Sequence, residues 1–254
     1  MIIPDKKAVE KTVKAIYSVL FPIGDNLMSA DIKSFSGSLS LQLQEILDCE
    51  TQEKVIIARQ FLDELHSIKK LLIKDAEFIL NSDPAARHRV EVISIYPGFF
   101  AIFCYRIAHL LAQLDLPLLP RMITEYAHKN TGIDIHPGAS IGTPFAIDHG
   151  TGIVIGETAK IGNNVIIYQG VTLGALSVDK NKASKKRHPT IGDNVILYAN
   201  CTILGGSTVV GRNSIIGGNV WLTESILPYS VVYHKSEIIV RNHGDFQEPV
   251  NFSI

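Results

Sequence analysis

From Ile133 onward the sequence repeats every six residues, and no other feature limits its fold so tightly. Ile135, Ile141 and Ile147 stand six apart, as do Ile155, Ile161, Ile167 and Leu173, and again Ile191, Leu197, Ile203, Val209, Ile215 and Trp221. A helix, with a period of about 3.6, produces no such ladder, and a plain strand, with a period of two, gives no reason for it. Short strands that turn a corner and stack coil upon coil do produce it, which is the arrangement of a parallel β-helix. The aliphatic position then fills the interior. Four residues after it come small or β-branched residues, among them Ala139, Thr151, Ala159, Val165, Val171, Val195, Cys201 and Ser207, suited to a tight corner. Glycine follows the aliphatic residue at Gly142, Gly156, Gly162 and Gly192.

Two breaks interrupt the ladder. The step from Ile147 to Ile155 is eight residues. Between Leu173 and Ile191, residues Gly174 to Pro189 carry no repeat and include Lys180, Lys182, Lys185, Lys186 and Arg187, which reads as a loop extruded from the coil. Loops on a rigid scaffold are where function concentrates.

Before the ladder the period is helical. Val9, Val13, Ile16 and Leu20 form one stripe, and Ile57, Phe61, Leu65, Ile68, Leu72, Ala76 and Ile79 form a longer one, the spacing of a single buried face. Another helix is expected over about 99–114, after Pro97-Gly98. A last one follows Pro117 and stops near Asn130-Thr131-Gly132. The expected organisation is α+β: a helical region over 1–131, a β-helix over 132–241 with its loop at 174–189, and a polar, aperiodic tail over 242–254.

Composition excludes several classes. With 24 Lys plus Arg against 25 Asp plus Glu, the net charge of -1 supplies no basic field for nucleic acid or an acidic membrane. Cys49, Cys104 and Cys201 are far apart, without a CxxC pair, which fits reduced buried thiols rather than a disulfide framework or thiolate zinc site. The N-terminus turns polar at once, and the longest apolar run, near Phe99 to Cys104, is closed by Arg106. A soluble cytoplasmic protein is expected.

Hexapeptide repeats behind a helical region, with Asp134-Ile-His-Pro137, Asp148-His149-Gly-Thr-Gly-Ile-Val-Ile-Gly-Glu-Thr158, Gln169-Gly-Val-Thr-Leu-Gly174 and Arg187-His188-Pro189, resemble the serine acetyltransferases. Asp83-Pro-Ala85 and Tyr105-Arg-Ile-Ala-His109 extend the resemblance back to about residue 80. The resemblance implies a left-handed β-helix and transfer of acetyl from acetyl-CoA to the L-serine hydroxyl, giving O-acetylserine for cysteine synthesis. It also implies trimers, often paired into hexamers, with active sites between neighbouring β-helices and no metal. Two stretches depart from the family pattern: the 174–189 loop is longer and more basic, and Val232-Tyr-His-Lys stands where the final coil usually ends in Gly-x-Pro-Ala-Lys.

The chemistry needs a general base, because a serine hydroxyl is a poor nucleophile at neutral pH and a neutral histidine titrates in the right range. His149 stands at the eight-residue break, where a side chain can leave the coil. By the resemblance it is the base, and Asp134 is the carboxylate that orients its imidazole. The resemblance also assigns Asp83, Asp148, Arg187 and His188 to the amino acid, with the Arg187 fork suited to its carboxylate. Asp83 has a local alternative as a helix N-cap before Pro84. Gly174, Ala175 and Ala199 match positions lining the acetyl-CoA site, where small residues allow close approach. Lys180, Lys182, Lys185 and Lys186 fit either CoA phosphates or a solvated charge run.

A sugar-directed hexapeptide acetyltransferase would keep His149 without needing Asp83 or Arg187. A β-helix zinc hydratase would need three histidine ligands, and His136, His149 and His188 are spaced 13 and 39 apart, which offers no close pair. The tail closes on Asn251-Phe-Ser-Ile254; by the resemblance Ile254 would enter a pocket of cysteine synthase. Cysteine, one atom different from serine, is the expected competitor.

Overall fold

The computed structural model describes residues 3–22, 32–47, 51–176 and 185–235. Helix α1 (Lys6–Leu20) begins where Asp5 accepts a hydrogen bond from the Ala8 N–H at 2.8 Å, and it buries Val9, Val13, Ile16 and Leu20. Helices α2 (Ile32–Ile46) and α3 (Thr51–Ser82) follow. On α3 the expected stripe from Phe61 to Ile79 is buried, with Ile57 half-buried at its start. The short α4 (Arg89–Ile95), too brief to show a period, leads into α5 (Pro97–Gln113) and α6 (Leu119–Thr131). Gly132 ends α6 at φ +71°, its N–H on the His128 carbonyl at 2.8 Å, which is a left-handed stop that glycine makes without strain. No single helix among the described residues is long and apolar enough to cross a membrane.

After Gly132 the chain becomes a left-handed β-helix of about five turns, with three parallel sheets as the sides of a prism. The first side stacks β1 (Asp134–Ile135), β4 (Val154–Ile155), β7 (Thr172–Gly174), β10 (Thr202–Leu204) and β13 (Trp221–Leu222). The second stacks β2 (Ser140–Ile141), β5 (Lys160–Ile161), β8 (Thr190–Ile191) and β11 (Val209–Val210). The third stacks β3 (Phe145–Ile147), β6 (Val165–Ile167), β9 (Ile196–Leu197), β12 (Ile215–Ile216) and β14 (Val231–Val232). Ile135, Ile155, Leu173 and Ile203 stack in register along the first side, all buried, as the six-residue ladder requires.

The last coils correct that ladder. Val210 aligns with Ile191, Ile216 with Leu197 and Leu222 with Ile203. Val210 and Ile216 are therefore buried, whereas Val209 and Trp221, expected inside, are exposed and Ile215 is half-buried. The cause is one extra residue at the Gly205-Gly206 corner, where Gly205 takes φ +105° and Gly206 sits too close to the Lys186–Arg187 backbone to carry a Cβ. Successive side chains of a strand point to opposite faces, so one inserted residue exchanges inside and outside for every later position. The corners themselves use asparagine as well as glycine: Asn164, Asn194, Asn200, Asn213 and Asn219 lie at φ between +56° and +61°, a region asparagine tolerates better than other side chains.

The helices cover the first coils, and the two regions share one continuous buried core. Buried Asp75 of α3 takes both Arg106 Nε, at 2.6 Å, and Nη2, at 2.9 Å, and also accepts the Phe145 N–H of β3 at 2.9 Å. Arg106 Nη2 reaches on to the Gly142 carbonyl at 3.0 Å. Tyr105 donates to the Ala139 carbonyl at 2.7 Å and accepts the Ile141 N–H at 3.1 Å, while His109 Nδ1 meets the Pro137 carbonyl at 2.7 Å. The Tyr105–His109 motif is thus a clamp between helix and coil. Cys104 and Cys201 are free and buried, and burial pushes the Cys201 thiol up to about 12; Cys49 lies outside the described residues.

Candidate active site

The eight-residue step places His149. At the corner between the third and first sides, two extra residues bulge before Gly152, whose N–H returns to the coil on the Gly132 carbonyl at 2.8 Å. His149 sits in this bulge at φ +58° with its side chain 72% exposed, and Nε2 lies 3.9 Å from Asp148 Oδ1. Gly150, at φ +91°, packs against Ile133 and Ile147 where a Cβ would collide.

Asp83 reaches the same place from the end of α3. It caps no helix: Oδ1 accepts the Ala85 N–H at 2.8 Å in a local turn, and α4 begins only at Arg89. Its other oxygen accepts the Tyr96 hydroxyl at 2.7 Å. That bond, to a carboxylate, pushes the Tyr96 phenol up to about 12. Gly98 lets α5 start hard against β3, since a Cβ there would strike the Ile147 carbonyl. Between these elements opens a cleft of about 370 Å³ lined by Asp83, Tyr96, Pro97, Ile147, Asp148 and His149. Two carboxylates and an imidazole at one apolar cleft suit a ligand with a cationic group and a hydroxyl. No motif marks Tyr96; its only local signal is its place before Pro97-Gly98.

Asp134, on the adjacent turn, is not within ion-pair reach of His149 in the single chain. Its partner is Arg121 of α6, with Nη1 3.4 Å from Oδ1. The backbones are nevertheless neighbours, because the Asp134 N–H donates to the Ile153 carbonyl at 2.9 Å, a few residues beyond His149.

Arg187 and His188 stand at a different corner, between the first and second sides. Arg187 pairs with Glu157. The His188 ring is buried over Gly156, where any Cβ would overlap it. Thr158 organises this corner: its Oγ1 accepts the Arg187 N–H at 2.9 Å and the His188 N–H at 3.1 Å, and lies 2.9 Å from His188 Nδ1. The Thr158 N–H also donates to Nδ1, at 3.0 Å, which places the ring proton on Nε2. Burial, then the Arg187 charge, lowers His188 to about 4. The Gly156-Glu157-Thr158 stretch therefore seats Arg187 and His188, a role that only its contacts reveal. His136 is at this corner too and His149 is not, so the three histidines do not meet within one chain.

The expected acetyl-CoA positions divide in the same way. Gly174 and Ala175 lie beside the Arg187 corner, with Gly174 against Leu204, while Ala199 lies two coils along from Asp148 at the His149 corner. Lys180 and Lys182 of the loop, and Phe252 and Ile254 of the tail, lie outside the described residues. One sheet width separates the corners: from Gly152 to Gly156 is four extended residues, about 13 Å.

Residues 147–169 and 190–224 match the model of the hexapeptide repeat of succinyl-transferase. A plasmid-borne serine acetyltransferase of Synechococcus elongatus is 51% identical over 175 residues, 67% of this chain and 54% of the relative, so the match spans about half of that protein's length. A second serine acetyltransferase of Synechococcus elongatus is 44% identical over 72% of this chain and 73% of its own. The crystal structure of serine acetyltransferase isoform 3 of Entamoeba histolytica, in complex with cysteine, superposes with a TM-score of 0.76 at 36% identity, over 91% of this chain and 84% of that one. With its helical cover, its hexapeptide coils and a 44%-identical relative matched over 73% of its length, this chain belongs to the serine acetyltransferase family of acyltransferase enzymes.

Proposed function

We propose that the chain transfers the acetyl group of acetyl-CoA to the hydroxyl of L-serine, giving O-acetylserine, with His149 as general base. The observation that carries this reading is the convergence of Asp83, Asp148 and exposed His149 on one cleft, although Asp83 is distant in sequence. The carboxylates of Asp83 and Asp148 meet the serine ammonium. Neutral His149 takes the proton of the serine hydroxyl as its oxygen attacks the thioester carbonyl. The tetrahedral intermediate then expels CoA thiolate, which takes the proton back from the imidazolium. Asp134 serves His149 once the exposed ring turns from Asp148 toward it, fixing the tautomer and stabilising the cation.

Arg187 and His188 complete the site from a neighbouring copy. One sheet width keeps them from the His149 cleft of their own chain, whereas stacking the His149 corner of one β-helix against the Arg187 corner of another joins the halves. The serine carboxylate then meets the Arg187 fork, and His188, held neutral, offers its Nε2–H. Gly174 and Ala175 of one copy with Ala199 of the other line the acetyl-CoA arm. A trimer, alone or paired into a hexamer, satisfies this geometry. Cysteine binds the same carboxylates and fork and competes with serine. The family resemblance further supports a cytoplasmic setting and docking of cysteine synthase on the tail around Ile254, which pull-down with and without Ile254 tests.

An acetyl-CoA consumption assay across serine, homoserine and simple sugars tests the reaction. Turnover is expected with serine well above the others, and preference for a sugar would replace this reading with the sugar-directed one.

A further inference from the structure

The carboxylate assigned to His149 is itself held by a residue that no motif marks. Arg121 lies in the first turn of α6, which runs through Gly132 directly into β1. One guanidinium nitrogen stands 3.4 Å from Asp134 Oδ1, and the other arm pairs with Glu125 one turn along the helix. Asp134 Oδ1 is buried and accepts no hydrogen bond, so this cation is what offsets its lost hydration. Glu125 and His128 of α6 also face Asp134, their ligand atoms lying with its own within 4.8 Å of one another. His136 follows on the same strand end, with Glu157 and Arg187 beyond it, and Asp148 faces His149.

We propose that Arg121 is a positioning residue for acetyl transfer. It clamps Oδ1 of Asp134, so that the second oxygen is presented to the His149 imidazole in one orientation. Its charge also partly neutralises the carboxylate that the imidazole is to face. The role rests on the reading of His149 and Asp134 as base and orienting carboxylate. Arg121 contacts neither the cleft nor its ligand, and it acts through Asp134 alone.

The test uses the full-length oligomeric enzyme with Arg121→Gln, Arg121→Lys and Asp134→Asn, following kcat and kcat/KM for serine against pH. Arg121→Gln is expected to lower kcat by about 10-fold to 10²-fold through misplacement of the carboxylate. Loss of the cation leaves the full carboxylate charge facing the imidazole, so the acid limb moves to higher pH, by about half a pH unit or more. KM for acetyl-CoA stays within about twofold, since no contact to that substrate is lost. Arg121→Lys, which restores the charge without the fork, returns the limb to its place with kcat in between. An Arg121→Gln enzyme with unmoved limb and near-normal kcat overturns the proposal, as does a fall in kcat that only tracks a lowered melting temperature. If Asp134→Asn is crippled while Arg121→Gln is normal, only the role of Arg121 falls. If Asp134→Asn itself keeps normal turnover, the orienting carboxylate falls and Arg121 with it.

Discussion

His149 and His188 are held in opposite ways, and each arrangement has a measurable consequence. His149 is exposed in a strained bulge, free to meet a substrate hydroxyl. Replacing it by alanine is expected to lower turnover about 10²-fold to 10⁴-fold while the coils stay assembled, read by steady-state kinetics with size-exclusion chromatography as control. His188 is buried against Gly156 and lowered to about 4 from its usual 6.5. Between those values the unfolded chain binds more protons than the native one. The stabilisation is therefore full above about pH 6.5 and is lost as the pH falls toward 4. Denaturant unfolding at about pH 7.5 and about pH 5 should show a smaller pH dependence in His188→Gln than in the parent. A motif marks His149 because a two-residue insertion disturbs a strict period. Only its place before Pro97-Gly98 marks Tyr96, whose partner Asp83 comes from another helix end.

Elements meet through a few buried polar groups. Asp75 lies beside the apolar stripe of α3 and looks like a misplaced charge until Arg106 and the Phe145 N–H are seen to satisfy both its oxygens. Asp75→Ala leaves a buried guanidinium without its partner and frees a strand N–H. It is expected to cost about 3–5 kcal/mol, measured by chemical denaturation. Because this pair ties α3 and α5 to the first coil, the same variant should loosen the seat of Asp83 at the end of α3 and raise KM for serine. The register change after Leu204 belongs to this scale too. Val209-Val210 and Ile215-Ile216 are pairs of aliphatics, so either residue could face inward, and the extra corner residue at Gly205-Gly206 selects the second of each pair.

For the whole molecule, the proposed site is divided between corners and completed by a second copy. His149→Ala and Arg187→Ala are each expected to be inactive as pure oligomers. When the two are unfolded together and reassembled, some sites take His149 from one variant and Arg187 from the other. With random mixing, about a quarter of sites are then intact and activity returns to that level. No recovery would mean that both halves serve the same chain, against the separation of about 13 Å between corners.

Much of the architecture was legible before any coordinates. A repeat of six, a helical stripe and a glycine stop are local patterns, and local backbone geometry alone turns them into coils, faces and ends. The bulge that carries His149 was legible for the same reason, as an interruption of a local period. The inward register of the last coils, the clamp made by Tyr105 and Arg106, the pairing of Tyr96 with Asp83 and that of Arg121 with Asp134 were decided only in the tertiary structure. Each joins residues whose separation along the chain says nothing of their separation in space. Which of them meet depends on how the helices seat on the coil and on which side of a corner each side chain emerges.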